Sequence, residues 1–136
     1  MPQHIAQLSL LVDDHDRAIA WYTTALNFEL IEDVHLSNTK RWVVIAPKGS
    51  NGTRILLAKA TTPEQVAAIG DQCGGRVFLF LHTDDLARDH AHMTKAGVEF
   101  IRGPEQQPWG LVAVFRDLHG NLWDLIQPKA SGATSV

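Results

Sequence analysis

Polar and apolar residues alternate along the first part of the chain and then change to a helical spacing. One face of a predicted strand at residues 5–12 is apolar and carries Leu8, Leu10 and Val12. The opposite face carries Gln7, Ser9 and Leu11. The spacing then predicts an amphipathic helix over 14–26, with apolar positions at Ala18, Tyr22, Ala25 and Leu26.

Three further strands are predicted in the first half of the chain, at residues 28–36, 41–46 and 53–60. The segments 37–39 and 47–52 separate these strands, and they are rich in the turn-forming residues Ser, Asn, Gly and Pro. The first half therefore reads as strand, helix and three strands, written βαβββ.

The second half predicts the same order of elements. Strands are expected at residues 77–83, 98–102, 111–116 and 121–127, and a helix starts at Asp84 or Asp85 and ends at Ala96. Gly103-Pro104 is expected to end the strand at 98–102. Residues 103–108 would then form a loop able to act as a lid.

The two halves also share residues, which indicates an internal repeat. Their separation is 71 residues, the distance from Asp13 to Asp84. Identical pairs at this shift are Asp13/Asp84, Asp14/Asp85, Arg17/Arg88, Ala20/Ala91, Thr23/Thr94 and Ala25/Ala96. Two unrelated helix starts would share only a capping residue, so a duplicated module explains the pattern better.

These patterns predict an α+β fold made of two tandem βαβββ modules. The chain of 136 residues is expected to form a single domain. Module one spans residues 4–60, a connector with a short helix near Pro63 spans 61–76, and module two spans 77–127. The remaining residues, 128–136, form a small polar tail.

Composition and charge narrow the function classes. Apolar residues make up 45% of the chain, charged residues make up 20%, and the net charge of −3 argues against nucleic acid or an anionic membrane as partner. No apolar run approaches the roughly 20 residues that span a bilayer. Residues 1–4 lack the features of a signal peptide.

Cys73 is the only cysteine, so no internal disulfide is expected, and nothing beside it suggests an activated thiol. A cytoplasmic location is predicted.

Several segments together resemble the vicinal oxygen chelate superfamily, which includes glyoxalase I, extradiol dioxygenases, fosfomycin-resistance enzymes and bleomycin-binding proteins. The segments that carry this resemblance are 10–14 with 20–22, 97–100 and 117–126. The resemblance implies curled, cup-shaped mixed sheets and a homodimer. Whether the modules pair within one chain or between two chains stays open.

The resemblance also implies four metal-ligand positions, on the first and last strand of each module. In this chain they hold Gln7, Leu56, Phe78 and Asp124. Leucine and phenylalanine have no donor atom, and His82 lies about 13 Å along the strand from Phe78. No metal cofactor is therefore predicted. Glyoxalase I activity is not predicted either. Glyoxalase I has an inward-facing arginine on the first strand, and the corresponding residue in this chain is Leu11.

The leading hypothesis is a small-molecule binding protein. Aromatic contacts to a planar apolar or aromatic ligand are assigned to Trp42, Phe78, Phe80 and Trp109. Polar anchors are assigned to Gln7, Ser9, His82 and Asp124, since a carboxylate on an apolar strand is costly to bury unless it is used. Trp123 is expected on the face opposite Asp124, against a helix.

Other readings of the same residues stay open. Phe78 and Phe80 also fit a packed core stripe, His82 fits a structural histidine, and Trp42 and Trp109 fit a dimer contact. A metal-dependent lyase, isomerase or dioxygenase would use Gln7, Asp124 and His82 around Zn, Ni, Fe or Mn. A subunit or regulatory domain without a pocket is the third hypothesis.

Overall fold

The computed structural model describes residues 2–129, so most of the predicted tail lies outside the described residues. The chain divides into two compact units, unit 1 (Met1–Ile69) and unit 2 (Gly70–Val136). Residues 61–69 of the predicted connector belong to unit 1, and residues 70–76 belong to unit 2. No helix among residues 2–129 has the length and apolar character needed to cross a membrane.

Unit 1 contains one long helix, one short helix and a four-stranded mixed sheet. In chain order the elements are β1 (Gln7–Val12), α1 (His15–Ala25), β2 (Glu29–His35), β3 (Arg41–Ala46), β4 (Arg54–Lys59) and α2 (Pro63–Ala68). The sheet order is β1-β4-β3-β2, with β1 parallel to β4 and the other pairs antiparallel. The predicted βαβββ order is confirmed.

Local chemistry places the helix of unit 1. The Asp14 side chain accepts a hydrogen bond from the Arg17 backbone N–H at 2.7 Å, which caps the first turn of α1. The apolar residues of α1 and of the sheet face beneath it are buried, among them Leu10, Val12, Tyr22, Val43, Ile45 and Leu57. The core of unit 1 therefore lies between α1 and one face of its sheet.

Unit 2 repeats this architecture. Its elements are β5 (Val77–His82), α3 (Leu86–Lys95), β6 (Phe100–Gln107), β7 (Gly110–Arg116) and β8 (Leu122–Pro128). The sheet order is β5-β8-β7-β6, and Asp85, rather than Asp84, caps α3. The core contains Leu86, Met93, Ala113, Phe115, Trp123 and Leu125. Trp123 is 2% exposed, as its predicted position opposite Asp124 requires.

The predicted end of a strand at Gly103-Pro104 is wrong. β6 continues through these residues to Gln107, with a cis peptide bond at Gly103-Pro104 and two shifts of register against β7. β6 is the outer strand of its sheet, so one of its sides has no neighbouring strand. Proline, which lacks a backbone N–H, is tolerated there because no hydrogen bond to a second strand is lost. The predicted lid at 103–108 is wrong for the same reason, because residues 103–107 belong to this strand.

A buried carboxylate organises the turn between β7 and β8. Asp117 Oδ1 accepts hydrogen bonds from the backbone N–H groups of His119, Gly120 and Asn121 at 2.9–3.1 Å. Asp117 Oδ2 accepts from Asn121 Nδ2 and Trp123 Nε1, each at 3.0 Å. This network fixes the start of β8, the strand that carries Asp124.

Candidate functional site

Each sheet has a face opposite its long helix, called here its open face. On the open face of unit 1, the paired residues of β1 and β4 are Gln7 with Arg54, Ser9 with Leu56, and Leu11 with Ala58. β3 adds Val44, which pairs with Leu56. The predicted anchors Gln7 and Ser9 therefore share one face, as expected, and Leu56 lies beside Ser9.

Trp42 on β3 is held by a neighbour that the sequence prediction missed. Its indole Nε1 donates to Glu32 Oε1 at 2.9 Å, and Arg54 Nη1 lies 3.6 Å from Glu32 Oε2. The indole is nevertheless 36% exposed. A register shift between Leu30 and Glu32 brings Glu32 to this place, and no local spacing in the sequence shows such a shift.

A groove of about 760 Å³ opens beside Trp42. The paired register of β3 and β4 comprises Val44 with Leu56 and Ile45 with Ile55, and the pairing does not extend to the first residues of β3 or the last residues of β4. The groove is lined by residues 35–42, residues 56–59, His15 and Thr61. Its volume lies in the range typical of small-molecule sites, which is about 300–1,000 Å³.

Arg41 fixes the wall of this groove. Its Nε and Nη2 atoms each donate to Asp33 at 2.8 Å, and its Nη1 atom lies 2.9 Å from Asp16 Oδ1. The hydrogen bonds from Arg41 hold the pKa of Asp33 below its ordinary value, and the same partners raise the pKa of Arg41. The β2–β3 hairpin is thereby tied to the first turn of α1.

Asp124 dominates the open face of unit 2. It pairs with Phe80 on β5 and with Val114 on β7, and Val114 in turn pairs with Arg102 on β6. Its Oδ1 atom is buried and has no hydrogen-bond partner within the part of the chain that the structure describes. Burial raises the pKa of the Asp124 carboxyl, and the charge of Arg102 opposes that rise.

The predicted aromatic and imidazole positions of unit 2 differ in exposure. Phe80 is 63% exposed and Trp109 is 58% exposed, so the alternative of a packed core stripe does not hold for Phe80. His82 is exposed and pairs with Ile126. Phe78 is half-buried at a register irregularity between Val77 and Leu79.

These residues do not fit a divalent metal. At the family's ligand positions, unit 1 offers the Gln7 amide and unit 2 the Asp124 carboxylate, while Leu56 and Phe78 offer no donor. Glu32, the acidic residue found on the open face of unit 1, is already bound to Trp42 and Arg54. Among residues 2–129, no group of three or more His, Cys, Asp or Glu side chains is placed to hold a metal ion.

The pH dependence of folding is expected to report the environment of Asp124. The pKa of Asp124 is higher in the folded chain than its ordinary value of 3.8, so protonation of Asp124 favours folding. This contribution to stability is fully present below pH 3.8. This gain is lost as the pH rises through the folded pKa. We expect Asp124→Asn to be more stable than the native chain at pH 7, with the difference shrinking toward pH 3.8.

Urea unfolding at a series of pH values measures this difference. A second variant, Arg102→Gln, removes the charge that opposes the rise, so the carboxyl pKa of Asp124, followed by carbon-13 NMR, should increase further. A stability difference between Asp124→Asn and the native chain that does not change with pH would contradict the assignment.

Together, the fold and the site define a class: an α+β protein of two βαβββ modules, each with a four-stranded mixed sheet, and an incomplete set of metal donors. The chain belongs to the Glyoxalase/Bleomycin resistance protein/Dioxygenase superfamily, whose family model matches residues 3–125. The resemblance seen in the sequence is confirmed.

Several individual proteins are similar to this chain over nearly its whole length. An uncharacterised protein of Shewanella frigidimarina (strain NCIMB 400) is 54% identical over 93% of this chain and 95% of its own length. TnmS3, an antibiotic binding protein from Streptomyces sp. CB03234, is 32% identical, with a TM-score of 0.77 over 94% of this chain and 98% of its own. A glyoxalase/bleomycin resistance protein from the same Streptomyces strain is 32% identical, with a TM-score of 0.72 over 90% and 99% of the two chains.

Proposed function

We propose that this protein binds a planar, apolar-to-aromatic small molecule and needs no metal ion to do so. The observation that carries the proposal is Trp42, whose indole is oriented by Glu32, is partly exposed, and borders a groove of about 760 Å³. A flat ring fixed in this way offers a stacking surface at little cost in conformational entropy.

Two further observations support a binding role. The similar protein TnmS3 is an antibiotic binding protein. In this chain Leu56 and Phe78 replace donor residues with hydrocarbon, which suits contact with an apolar ligand better than it suits metal-assisted catalysis. The other predicted ligand contacts lie outside the groove lining, and we propose them as contacts within their own units: Gln7 and Ser9 in unit 1, and Phe78, Phe80, His82, Trp109 and Asp124 in unit 2.

The competing proposal, a metal-dependent lyase, isomerase or dioxygenase, has a direct test. Elemental analysis of protein purified without chelator should find no stoichiometric Zn, Ni, Fe or Mn. One metal ion per chain, lost in the Asp124→Ala variant, would overturn metal-free binding in favour of the enzyme.

Replacement of Trp42 tests the binding proposal itself. We expect a panel of planar aromatic compounds to quench the tryptophan fluorescence of the native chain. Trp42→Phe should remove most of the quenching and weaken binding by roughly three- to tenfold, as loss of an aromatic stacking contact does. Fluorescence titration gives the signal, and calorimetry gives the affinity independently of it.

Trp21→Phe is the matched control. Trp21 lies on α1 and packs edge-on against Tyr22 at a ring-centroid distance of 4.9 Å, so its removal should leave ligand affinity unchanged. The binding proposal fails if no compound in a broad panel binds, and the role of Trp42 fails if both variants bind equally well.

We also propose that the protein is a cytoplasmic homodimer. The single chain exposes large apolar side chains, and contact with a second copy would bury them. Among them are Val34, Leu36, Phe80, Ile101 and Trp109. The single cysteine, Cys73, fits a reducing compartment. A monomeric mass in sedimentation velocity at micromolar concentration would refute the dimer, and export of the tagged protein from the cytoplasm would refute the location.

A further inference from the structure

The groove beside Trp42 has walls of unequal chemistry. Its apolar part is formed by Leu36, Trp42, Leu56 and Ala58. Its polar part carries Lys40, Arg41 and Lys59 together with the imidazoles of His15 and His35, and none of the lining residues is Asp or Glu. The wall therefore offers hydrogen-bond donors and positive charge but no carboxylate.

The cations of the groove differ in what they already bind. Arg41 is occupied by Asp33 and Asp16, which take up its guanidinium. His15 Nε2 lies 3.1 Å from the Leu57 carbonyl oxygen, so this ring is held in place as well. Lys40 and Lys59 form no ion pair with any residue in 2–129. Their ammonium groups are the donors left available to a ligand.

The ends of two neighbouring strands set the positions of these lysines. Lys40 directly precedes β3, and Lys59 ends β4, so the two residues belong to the unpaired ends of two neighbouring strands. Both lysines line the groove, so an anionic group bound there would be attracted by two positive charges that form no ion pair with residues 2–129. Trp42, two residues after Lys40, faces the same space.

We infer that the ligand of this groove is a planar aromatic anion, whose ring stacks on Trp42 and whose charged oxygens are bound by Lys40 and Lys59. This inference rests on the proposed function and adds the chemical class of the ligand. Carboxylate and phosphate substituents share the required oxygens.

Calorimetry with three matched compounds tests the inference: 2-naphthoate, 2-naphthyl phosphate and the neutral 2-naphthamide. At low ionic strength, the native chain should bind at least one anion about fivefold or more tightly than the amide, and added salt should reduce the difference. A larger gain for the carboxylate or for the phosphate identifies the substituent, and either result supports the inference.

Variants locate the preference on the two lysines. The double variant Lys40→Gln/Lys59→Gln should bind the anions no more tightly than the amide. Lys48→Gln is the control, since Lys48 is also an exposed lysine of unit 1 but lies outside the groove lining. It should keep the full preference.

The inference and the proposed function fail in distinguishable ways. Equal binding of all three compounds to the native chain, or a preference that survives in the double variant, overturns the anion inference and leaves planar-ligand binding intact. The same holds if none of the three binds while other planar compounds still quench Trp42. If nothing in the broader panel binds, both proposals are overturned.

Discussion

Asp117→Ala is expected to lower the free energy of unfolding by about 3–5 kcal/mol, because it leaves several buried donors without an acceptor. The Asp117 side chain is 6% exposed in total and accepts from three backbone N–H groups, the Asn121 amide and the Trp123 indole. Water cannot replace the carboxylate easily at this depth. Urea unfolding followed by far-UV circular dichroism measures the loss.

The control for Asp117 is Asp84→Ala. Asp84 is 85% exposed in its side chain and makes an ion pair with Arg88 at 2.8 Å. Solvent screens exposed pairs of this kind, so this variant should unfold almost as the native chain does. If the two alanine variants were equally stable, the Asp117 network would not be what holds the β7–β8 turn.

Gly70→Ala is expected to destabilise the protein by about 2–5 kcal/mol, through two additive effects. Gly70 has φ of +78°, a conformation that costs a residue with a Cβ about 1–2 kcal/mol. In addition, a Cβ at this position would stand 2.0 Å from the His119 carbonyl oxygen. That oxygen belongs to the backbone of the turn that Asp117 holds, so either the turn or residue 70 must move.

Gly74→Ala separates the two effects. Gly74 has φ of +62°, but a Cβ added there meets no atom within 4 Å. Its replacement should therefore cost only the conformational part, about 1–2 kcal/mol. The difference between the two variants in thermal or urea unfolding measures the close approach of Gly70 to the turn. If Gly70→Ala and Gly74→Ala lowered the free energy of unfolding equally, the close contact of Gly70 with His119 would contribute nothing to the cost.

These two predictions bear on the candidate site through β8. Asp117, Gly70 and the buried Trp123 fix the strand immediately before Asp124. Because side chains alternate along a strand, burying Trp123 against the helix places Asp124 on the open face. A variant that loosens the turn should therefore also weaken any ligand contact made by Asp124.

Helices and strands were predictable from the sequence where they depend on residues that are close together in the chain. The Asp14 cap, the predicted β3 at 41–46, the short helix at Pro63 and the duplicated module all follow from spacing and capping chemistry within a few residues. β6 was mispredicted because the rule that Gly-Pro ends a strand assumes a strand with two neighbours. Pro104 lies on an outer strand, and its place in the sheet is a property of the whole module.

The candidate site was predictable only in part. Alternation along β1 and β8 correctly put Gln7 with Ser9 on one face and separated Asp124 from Trp123. The contact of Glu32 with Trp42 depends on a bulge, and the lysines of the groove depend on where the pairing of two strands ends. Neither the bulge nor the end of the strand pairing can be predicted from the local spacing of residues.

The amino-acid sequence by itself determined the two βαβββ modules, their caps and the absence of donors at Leu56 and Phe78, since these depend on residue type and on periods of two or 3.6 residues. The tertiary structure decided which residues come together: Glu32 contacts Trp42, Arg41 contacts two aspartates, and Lys40 and Lys59 line the same groove. The physical reason is that such contacts follow from strand register, which the packing of a whole sheet sets and which a single bulge changes.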